Sequence, residues 1–106
     1  MKKVFHHIGI PTAQKHDNEI YLDSIKLHIT DAGANEHHIE WVRAEAGCPL
    51  HLLIKSVPHV AYEVDDLEEA IQGRRVIAAP FEPIPGVCVA FIEDQGAPVE
   101  FLCVRK

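Results

Sequence analysis

Hydrophobic and polar residues alternate through much of this chain, a pattern that predicts short β-strands more than long helices. In the first half it predicts three strands, at residues 4–10, 24–30 and 37–44. The polar stretch from Thr12 to Glu19 has no hydrophobic residue at helical spacing, so we predict no helix there. A short helical turn is expected at 50–53, in the connection that leads to the second half.

The second half has a different order of elements, namely strand, helix, strand, strand and strand. Strands are predicted at 57–64, 75–79, 86–93 and 99–104, and a helix at 67–72. Asp65 or Asp66 can cap this helix, because an aspartate oxygen accepts the free amide hydrogens of a first turn. We expect an irregular crossing at 80–85 and a hairpin turn at Asp94-Gln95-Gly96.

The two halves contain a weak internal repeat. His7-Ile8-Gly9-Ile10 and His59-Val60-Ala61-Tyr62 each open a half, and Ile39-Glu40-Trp41 and Val99-Glu100-Phe101 each lie late in one. The separation from His to Glu is 33 residues in the first half and 41 in the second. The deficit corresponds to about two helical turns, which matches the missing helix. We therefore expect a single domain, 1–106, with a reduced first module at 1–56 and a complete second module at 57–106.

Composition excludes several classes of protein. The 106 residues are 47% hydrophobic and 25% charged, as in a soluble globular domain, and the net charge of -6 disfavours nucleic acid as a partner. No apolar run is long enough to cross a bilayer, and Met1-Lys2-Lys3 does not lead into a signal peptide, so we expect a cytoplasmic protein without membrane contact. Cys48, Cys88 and Cys103 are odd in number and widely spaced, which predicts neither a disulfide framework nor a thiolate zinc site.

Four residues of the repeat carry the candidate chemistry. Glu40 and Glu100 are each flanked by bulky hydrophobic residues in a strand, a costly position unless the carboxylate is paired, hydrogen-bonded or bound to a metal. If the halves pack as equivalent sheets, His7, Glu40, His59 and Glu100 point into one cleft. Two imidazoles and two carboxylates suit a divalent Zn, Ni, Co, Fe or Mn ion. For either histidine alone, an ordinary place in a strand is the simpler interpretation.

The other polar candidates have simpler explanations. His6 is predicted to face away from His7 and to be structural, and Glu63 either lines the cleft or is solvated. Cys88 and Cys103 are interpreted as small buried hydrophobic residues. Three further histidines could line the pocket, but we favour solvated positions for them, namely His37, His38 and His51. The pair Arg74-Arg75 is interpreted as solvated, with anion recognition as the alternative.

The second half resembles the second module of the vicinal oxygen chelate superfamily, in the segments 59–70, 86–94 and 99–102. That superfamily includes glyoxalases, methylmalonyl-CoA epimerases, extradiol dioxygenases, and fosfomycin and bleomycin resistance proteins. In the first half, only His7-Ile8-Gly9-Ile10 and Ile39-Glu40-Trp41 match. The resemblance implies an α+β fold in which paired βαβββ modules form a cupped mixed sheet, here with the first module lacking its helix. It also implies a metal held by His7, Glu40, His59 and Glu100.

The resemblance further implies a function, although whether the protein is an enzyme stays open. Glyoxalase-like relatives fill all four ligand positions, whereas the dioxygenases use two His and one Glu. The intact quartet therefore favours a metal-dependent lyase, isomerase or epimerase acting on a small oxygenated substrate that chelates the metal, with Glu40 or Glu100 as the catalytic base. One alternative is a non-catalytic binding or resistance-type protein of the same fold, and another is a structural dimer module with a vestigial quartet.

The reduced first module also predicts an oligomer. Without a helix, its outer face is expected to expose hydrophobic residues with no cover from the same chain, namely Val4, Ile8, Ile10, Ile39 and Trp41. A continuous apolar surface of this kind is typical of an interface. We therefore expect a homodimer, and the quartet closes either within one chain or across the dimer.

Overall fold

A computed structural model describes residues 2–105 as an α+β domain dominated by one sheet. In chain order the strands and helices are β1 Lys3–Pro11, β2 Ile20–Leu22, β3 Leu27–Ile29, β4 Ile39–Ala44, α1 Leu52–Ser56, β5 His59–Val64, α2 Leu67–Ile71, β6 Arg75–Ile84, β7 Val87–Asp94 and β8 Ala97–Val104. Two short 3-10 turns lie at Asp23–Ile25 and Ala32–Ala34. The predicted fold class is confirmed.

The sheet is built from two halves related by symmetry. Its strand order is β2-β3-β4-β1-β5-β8-β7-β6, so the first and last strands of each half are neighbours and the two first strands meet in the middle. β1 runs parallel to β4, and β5 runs parallel to β8. β1 and β5 are antiparallel, which places a pseudo-two-fold axis between them. The sheet is curled into a cup of paired modules. The boundary between the two modules at residue 56 stays a prediction.

The convex face of the second half is covered by α2. Leu67 and Ala70 of this helix are buried against Val64, Ala90 and Phe101. The carboxylate of Asp66 accepts a hydrogen bond from the backbone N–H of Glu69 at 3.1 Å, as the capping prediction requires. The opposite, concave face carries a second hydrophobic cluster around α1, in which Ile54 is 1% exposed.

The predicted strand at 24–30 is wrong in its first half. Ser24 and Ile25 belong to a 3-10 turn, and Lys26 has a left-handed backbone with φ of 50°. Ile25 still packs against the buried cluster around Leu27, so the hydrophobic side chain reaches the core although this segment is not a strand. The three-residue β2 was not predicted, because so short a segment lacks a recognisable period.

The predicted irregular crossing at 80–85 is also wrong. β6 continues to Ile84 as one bulged strand, with shifts of register between Val76 and Ile84. Because β6 is at the edge of the sheet, Pro80 and Pro83 can lie within it without removing a hydrogen bond from a second neighbour. Other predicted strand and helix boundaries shift by one or two residues. The helical turn expected at 50–53 is displaced towards the C-terminus and forms α1, Leu52–Ser56.

A polar network, instead of a helix, covers part of the convex face of the first half. Residues 12–19, all of them described by the structure, form no helix, as predicted. The carboxylate of Glu19 accepts two hydrogen bonds from Arg43, at 2.7 and 2.9 Å. The ring of His16 stacks on Trp41 with centroids 4.9 Å apart. The expectation that Trp41 has no cover from its own chain is therefore wrong.

The register also corrects the expected position of Val4. This residue pairs with Glu63, and so lies on the concave side with His59 and Ala61. Ile8 lies on the convex side as expected and is 38% exposed, and Phe5, which was not predicted there, is 48% exposed on the same side. In the described range 2–105, no helix has the length and apolar character that a membrane crossing requires.

The pairing of Glu19 with Arg43 predicts acid sensitivity. The hydrogen bonds from Arg43 lower the pKa of Glu19 from 4.5 to about 2. A carboxyl group with a lowered pKa stabilises the fold above its unfolded pKa, and this stabilisation disappears as the pH falls towards the folded pKa. Urea unfolding at a series of pH values should show stability falling between pH 4.5 and about 2. The fall should be smaller in Glu19→Gln.

Glu36 provides the control, because its side chain is 86% exposed and contacts the adjacent His37. Glu36→Gln should keep the acid sensitivity of the wild type. If Glu19→Gln and Glu36→Gln gave the same dependence on pH, the Glu19 pair would not be its source.

Candidate metal centre

Strand register brings the four candidate ligands to one place. Across the pseudo-two-fold axis, His7 pairs with Ala61 and Gly9 pairs with His59. Glu40 pairs with Gly9 from β4, and Glu100 pairs with Ala61 from β8. Paired residues share a face of the sheet, so all four side chains are directed to the concave side.

The side chains converge tightly. One potential ligand atom from each of His7, Glu40, His59 and Glu100 lies within 4.8 Å of all the others. Nε2 of His7 is 3.4 Å from the Glu100 carboxylate and 3.6 Å from that of Glu40, and Nε2 of His59 is 3.0 Å from Glu100. Ligand atoms about 2.1 Å from a shared ion are about 3.0 Å apart at a right angle and about 3.4 Å apart at a tetrahedral angle. The three nitrogen–oxygen distances fit a shared cation.

Burial and unmet hydrogen bonding point the same way. His7 and His59 are each 3% exposed and Glu100 is 7% exposed. Nε2 of His7, which faces both carboxylates, is buried without a hydrogen-bond partner among residues 2–105. Buried polar atoms are normally satisfied, and unsatisfied ones require an explanation. With two imidazoles and two carboxylates as donors, the residues fit a divalent transition metal ion.

The two carboxylates have different electrostatic environments. Burial raises the pKa of Glu40 to about 7, and the neighbouring charge of Glu100 acts in the same direction. Burial also raises the pKa of Glu100, but its contacts with His59 and His7 outweigh this effect and hold the pKa at about 2. Glu100 is therefore the ionised partner of the two histidines.

Gly9 makes room for His59. A Cβ atom at position 9 would lie 2.1 Å from Cε1 and 2.4 Å from Nε2 of the His59 ring. The ring can cross β1 only because residue 9 has no side chain. The internal repeat gives Gly9 no role of its own, although a glycine in the interior of a strand is itself a sign of close approach.

His6 also belongs to the site, contrary to the prediction that it faces away. A bulge in β1 between Phe5 and His7 breaks the alternation and turns both histidines inwards. Nδ1 of His6 is 2.8 Å from Nδ1 of His7, which leaves Nε2 of His7 directed towards Glu40 and Glu100. The sequence pattern contains no sign of this bulge.

The quartet lies in the wall of an open pocket of about 330 Å³. The remaining lining comes mainly from hydrophobic residues of both halves, including Leu22, Leu27, Ile54, Phe81, Val89, Phe91 and Leu102. The pocket thus combines a polar cluster of potential ligands with an apolar interior, the usual composition of a small-molecule site.

The other residues considered lie elsewhere. His37 is 71% exposed, His38 is exposed, and Nδ1 of His51 accepts a hydrogen bond from the backbone N–H of Leu53 at the start of α1. Glu63 is half-buried outside the pocket lining.

Cys88 and Cys103 face each other across β7 and β8. They are half-buried, whereas burial was predicted, and they are not disulfide-bonded. Arg75 is exposed beside Glu93, and Arg74 donates to the carbonyl of Ala70.

Comparison with known proteins identifies a shared fold. No family model matches the chain, and no curated protein sequence matches it. The crystal structure of the hypothetical protein BH1468 from Bacillus halodurans C-125 superimposes with a TM-score of 0.72, covering 100% of this chain and 97% of that one. The two sequences are 22% identical, so the likeness concerns the fold alone.

The contact between Gly9 and His59 predicts a specific stability effect. Gly9→Ala should destabilise the protein by about 1–3 kcal/mol, because the added methyl group overpacks the site. In a His59→Ala background the ring is absent, so the same substitution should cost much less. Urea unfolding of the four proteins in this cycle measures the difference.

Gly33→Ala is the control, because its Cβ would be 3.2 Å from an oxygen of the Asp31 side chain, a much milder contact than the 2.1 Å approach at position 9. A smaller loss of stability is expected there, and it should not depend on the His59 ring. An equal cost of Gly9→Ala with and without the His59 ring would contradict the assignment.

Proposed function

We propose that this chain is a metal-dependent lyase, isomerase or epimerase of the vicinal oxygen chelate type, acting on a small oxygenated substrate. The observation that carries the proposal is the convergence of His7, Glu40, His59 and Glu100 within 4.8 Å in the wall of an open pocket. The cupped sheet of paired modules supports it.

The donor set restricts the cation. Two imidazole nitrogens and two carboxylate oxygens suit Zn, Ni, Co, Fe or Mn better than Ca or Mg, which prefer oxygen ligands. When bound, a divalent ion of this group supplies Lewis acidity that polarises substrate oxygens and acidifies the adjacent carbon. All four residues come from one chain, so the proposed site needs no ligand from a second copy.

The two carboxylates have separate proposed roles. Glu100 contacts both histidines, at 3.0 and 3.4 Å, and its side chain is 9% exposed. It therefore orients the imidazoles. Glu40 is held more loosely, at 3.6 Å from His7 with a side chain 18% exposed, and it lines the pocket. This looser carboxylate is the proposed base, which accepts the proton from the substrate carbon.

The apolar pocket supports catalysis and binding alike. Hydrophobic walls exclude water and strengthen the electrostatic interactions of the carboxylates with a bound molecule. A non-catalytic binding protein of the same fold would use the pocket in the same way, but it would not require a loosely held base beside the substrate.

Replacing each carboxylate by the neutral amide should separate the two roles. Glu40→Gln should keep metal within about tenfold of the wild-type affinity, and should slow proton exchange from substrate carbon by about 100-fold or more. Glu100→Gln should lose metal affinity by about 10- to 100-fold, because both histidines lose their partner. Chelator competition measures affinity, and NMR in D₂O measures exchange for a panel of small α-hydroxy ketones.

Glu63→Gln is the control, since Glu63 shares β5 with His59 but does not line the pocket. It should change neither affinity nor exchange. A wild-type protein that takes up no Zn, Ni, Co, Fe or Mn would refute the metal site. If the protein takes up metal but exchanges no proton of any compound in the panel, the non-catalytic binding protein is the favoured function.

We also propose that the protein forms a homodimer through the convex face of its first half. Ile8 and the adjacent Phe5 are exposed there, and Ile10 and Ile39 are half-buried. His16 covers Trp41. In the described range 2–105, however, no helix packs on the convex face of the first half as α2 packs on that of the second half.

Substitution within this face should dissociate the dimer. Ile8→Glu places a charge in the interface and should shift the mass measured by light scattering from dimer to monomer at micromolar concentration. Val76→Glu, at an equally exposed hydrophobic residue on β6, should leave the mass unchanged. A wild-type monomer would show that the 12–22 segment is sufficient cover.

A further inference from the structure

Apart from His6, Thr30 and Asp31, the pocket wall around the quartet is hydrophobic. Facing the four polar side chains are buried or half-buried hydrophobic residues, with Leu27, Ile54, Val89 and Phe91 at the interior. Towards the opening the lining remains hydrophobic, with Ile84 at 38% exposure. A ligand held at the quartet would therefore place the rest of its body against hydrocarbon.

Apart from the imidazoles of His6, His7 and His59, the ionisable side chains that line the pocket are all acidic. Asp31, Glu40 and Glu100 line it, and in the part of the chain that the structure describes neither Lys nor Arg does. Nearby cations have other partners, since Arg105 pairs with Glu82 and Nζ of Lys55 donates to the carbonyl of Cys48. Two carboxylates neutralise a divalent ion, so the loaded site would offer no net positive charge to a second anionic group.

The volume limits the size of the ligand. A cavity of about 150 Å³ accommodates benzene. By proportion, the pocket of about 330 Å³ accommodates about a dozen non-hydrogen atoms.

We propose that the substrate is a small molecule with an apolar body, aryl or branched alkyl, whose charge is confined to two neighbouring oxygens at the metal. Molecules that carry a phosphate or carboxylate away from those oxygens are excluded, because the group would lose water and, among the described residues, no Lys or Arg side chain lines the pocket to pair with it. The inference rests on the proposed metal site and narrows its substrate class.

Three hydroxamates with the same chelating group test this inference on the zinc-loaded protein. Benzohydroxamate has an apolar ring, acetohydroxamate lacks it, and 4-carboxybenzohydroxamate adds a remote charge. By calorimetric titration, benzohydroxamate should bind about tenfold or more tightly than acetohydroxamate. It should also exceed 4-carboxybenzohydroxamate by about tenfold or more.

A charge introduced in the pocket lining should reduce or remove the discrimination. Ile84→Arg places a cation in the lining and should raise the affinity for 4-carboxybenzohydroxamate by about tenfold relative to benzohydroxamate. Val76→Arg is the matched control, because Val76 is 40% exposed on the same strand and lies outside the pocket. It should leave the order of affinities unchanged.

The two proposals fail in different ways. If the protein binds no zinc, or if the metal-free protein binds each hydroxamate as tightly as the zinc-loaded protein does, both the metal site and this inference are overturned. A protein that binds zinc, but gives equal affinities for the three compounds, overturns the substrate class alone. The same holds if Val76→Arg changes the preference as much as Ile84→Arg does.

Discussion

The antiparallel pairing of β1 with β5 is the contact on which the candidate site depends. It places His59 over Gly9 and His7 beside Ala61, so each imidazole meets a residue with little or no side chain. Neighbouring strands are about 4.8 Å apart, and the outer strands add Glu40 and Glu100 at the same level. Because a slip of one residue turns side chains to the other face, the register itself assembles the cluster.

The two halves cover their convex faces by different physical means. In the second half a five-residue helix buries Leu67 and Ala70 on the sheet. In the first half a loop without a hydrophobic period is held by the hydrogen bonds of Glu19 with Arg43 and by the stacking of His16 on Trp41. Ion pairs and stacking fix the position of a loop but bury less hydrocarbon than a helix. The concave face is hydrophobic in both halves, so the pocket does not depend on this difference.

The sequence predicted the elements that have a clear period or cap, and missed those set by tertiary contacts. Asp66 and the strand at β8 follow local rules, and the repeat of His and Glu correctly placed four residues on one face. The bulge that turns His6 inwards depends on the register of β1 against β5, which no local pattern records. The continuation of β6 through Pro80 and Pro83 depends on its place at the sheet edge. The need for glycine at position 9 becomes visible only when the ring of His59 is in place.

Folding stability alone gives no reason to bury this cluster. Burial raises the pKa of Glu40 to about 7, with the charge of Glu100 acting in the same direction, and Nε2 of His7 lacks a hydrogen-bond partner among residues 2–105. Each feature costs free energy in an apolar pocket. Under the proposed function, a cation that binds the folded state alone offsets these costs, by about 2.7 kcal/mol at a concentration of one hundred times its Kd. The residues that destabilise the metal-free fold are then the same residues that make its stability depend on the ion. Burial in an apolar pocket strengthens this dependence, because polar groups without a protein partner are also shielded there from water.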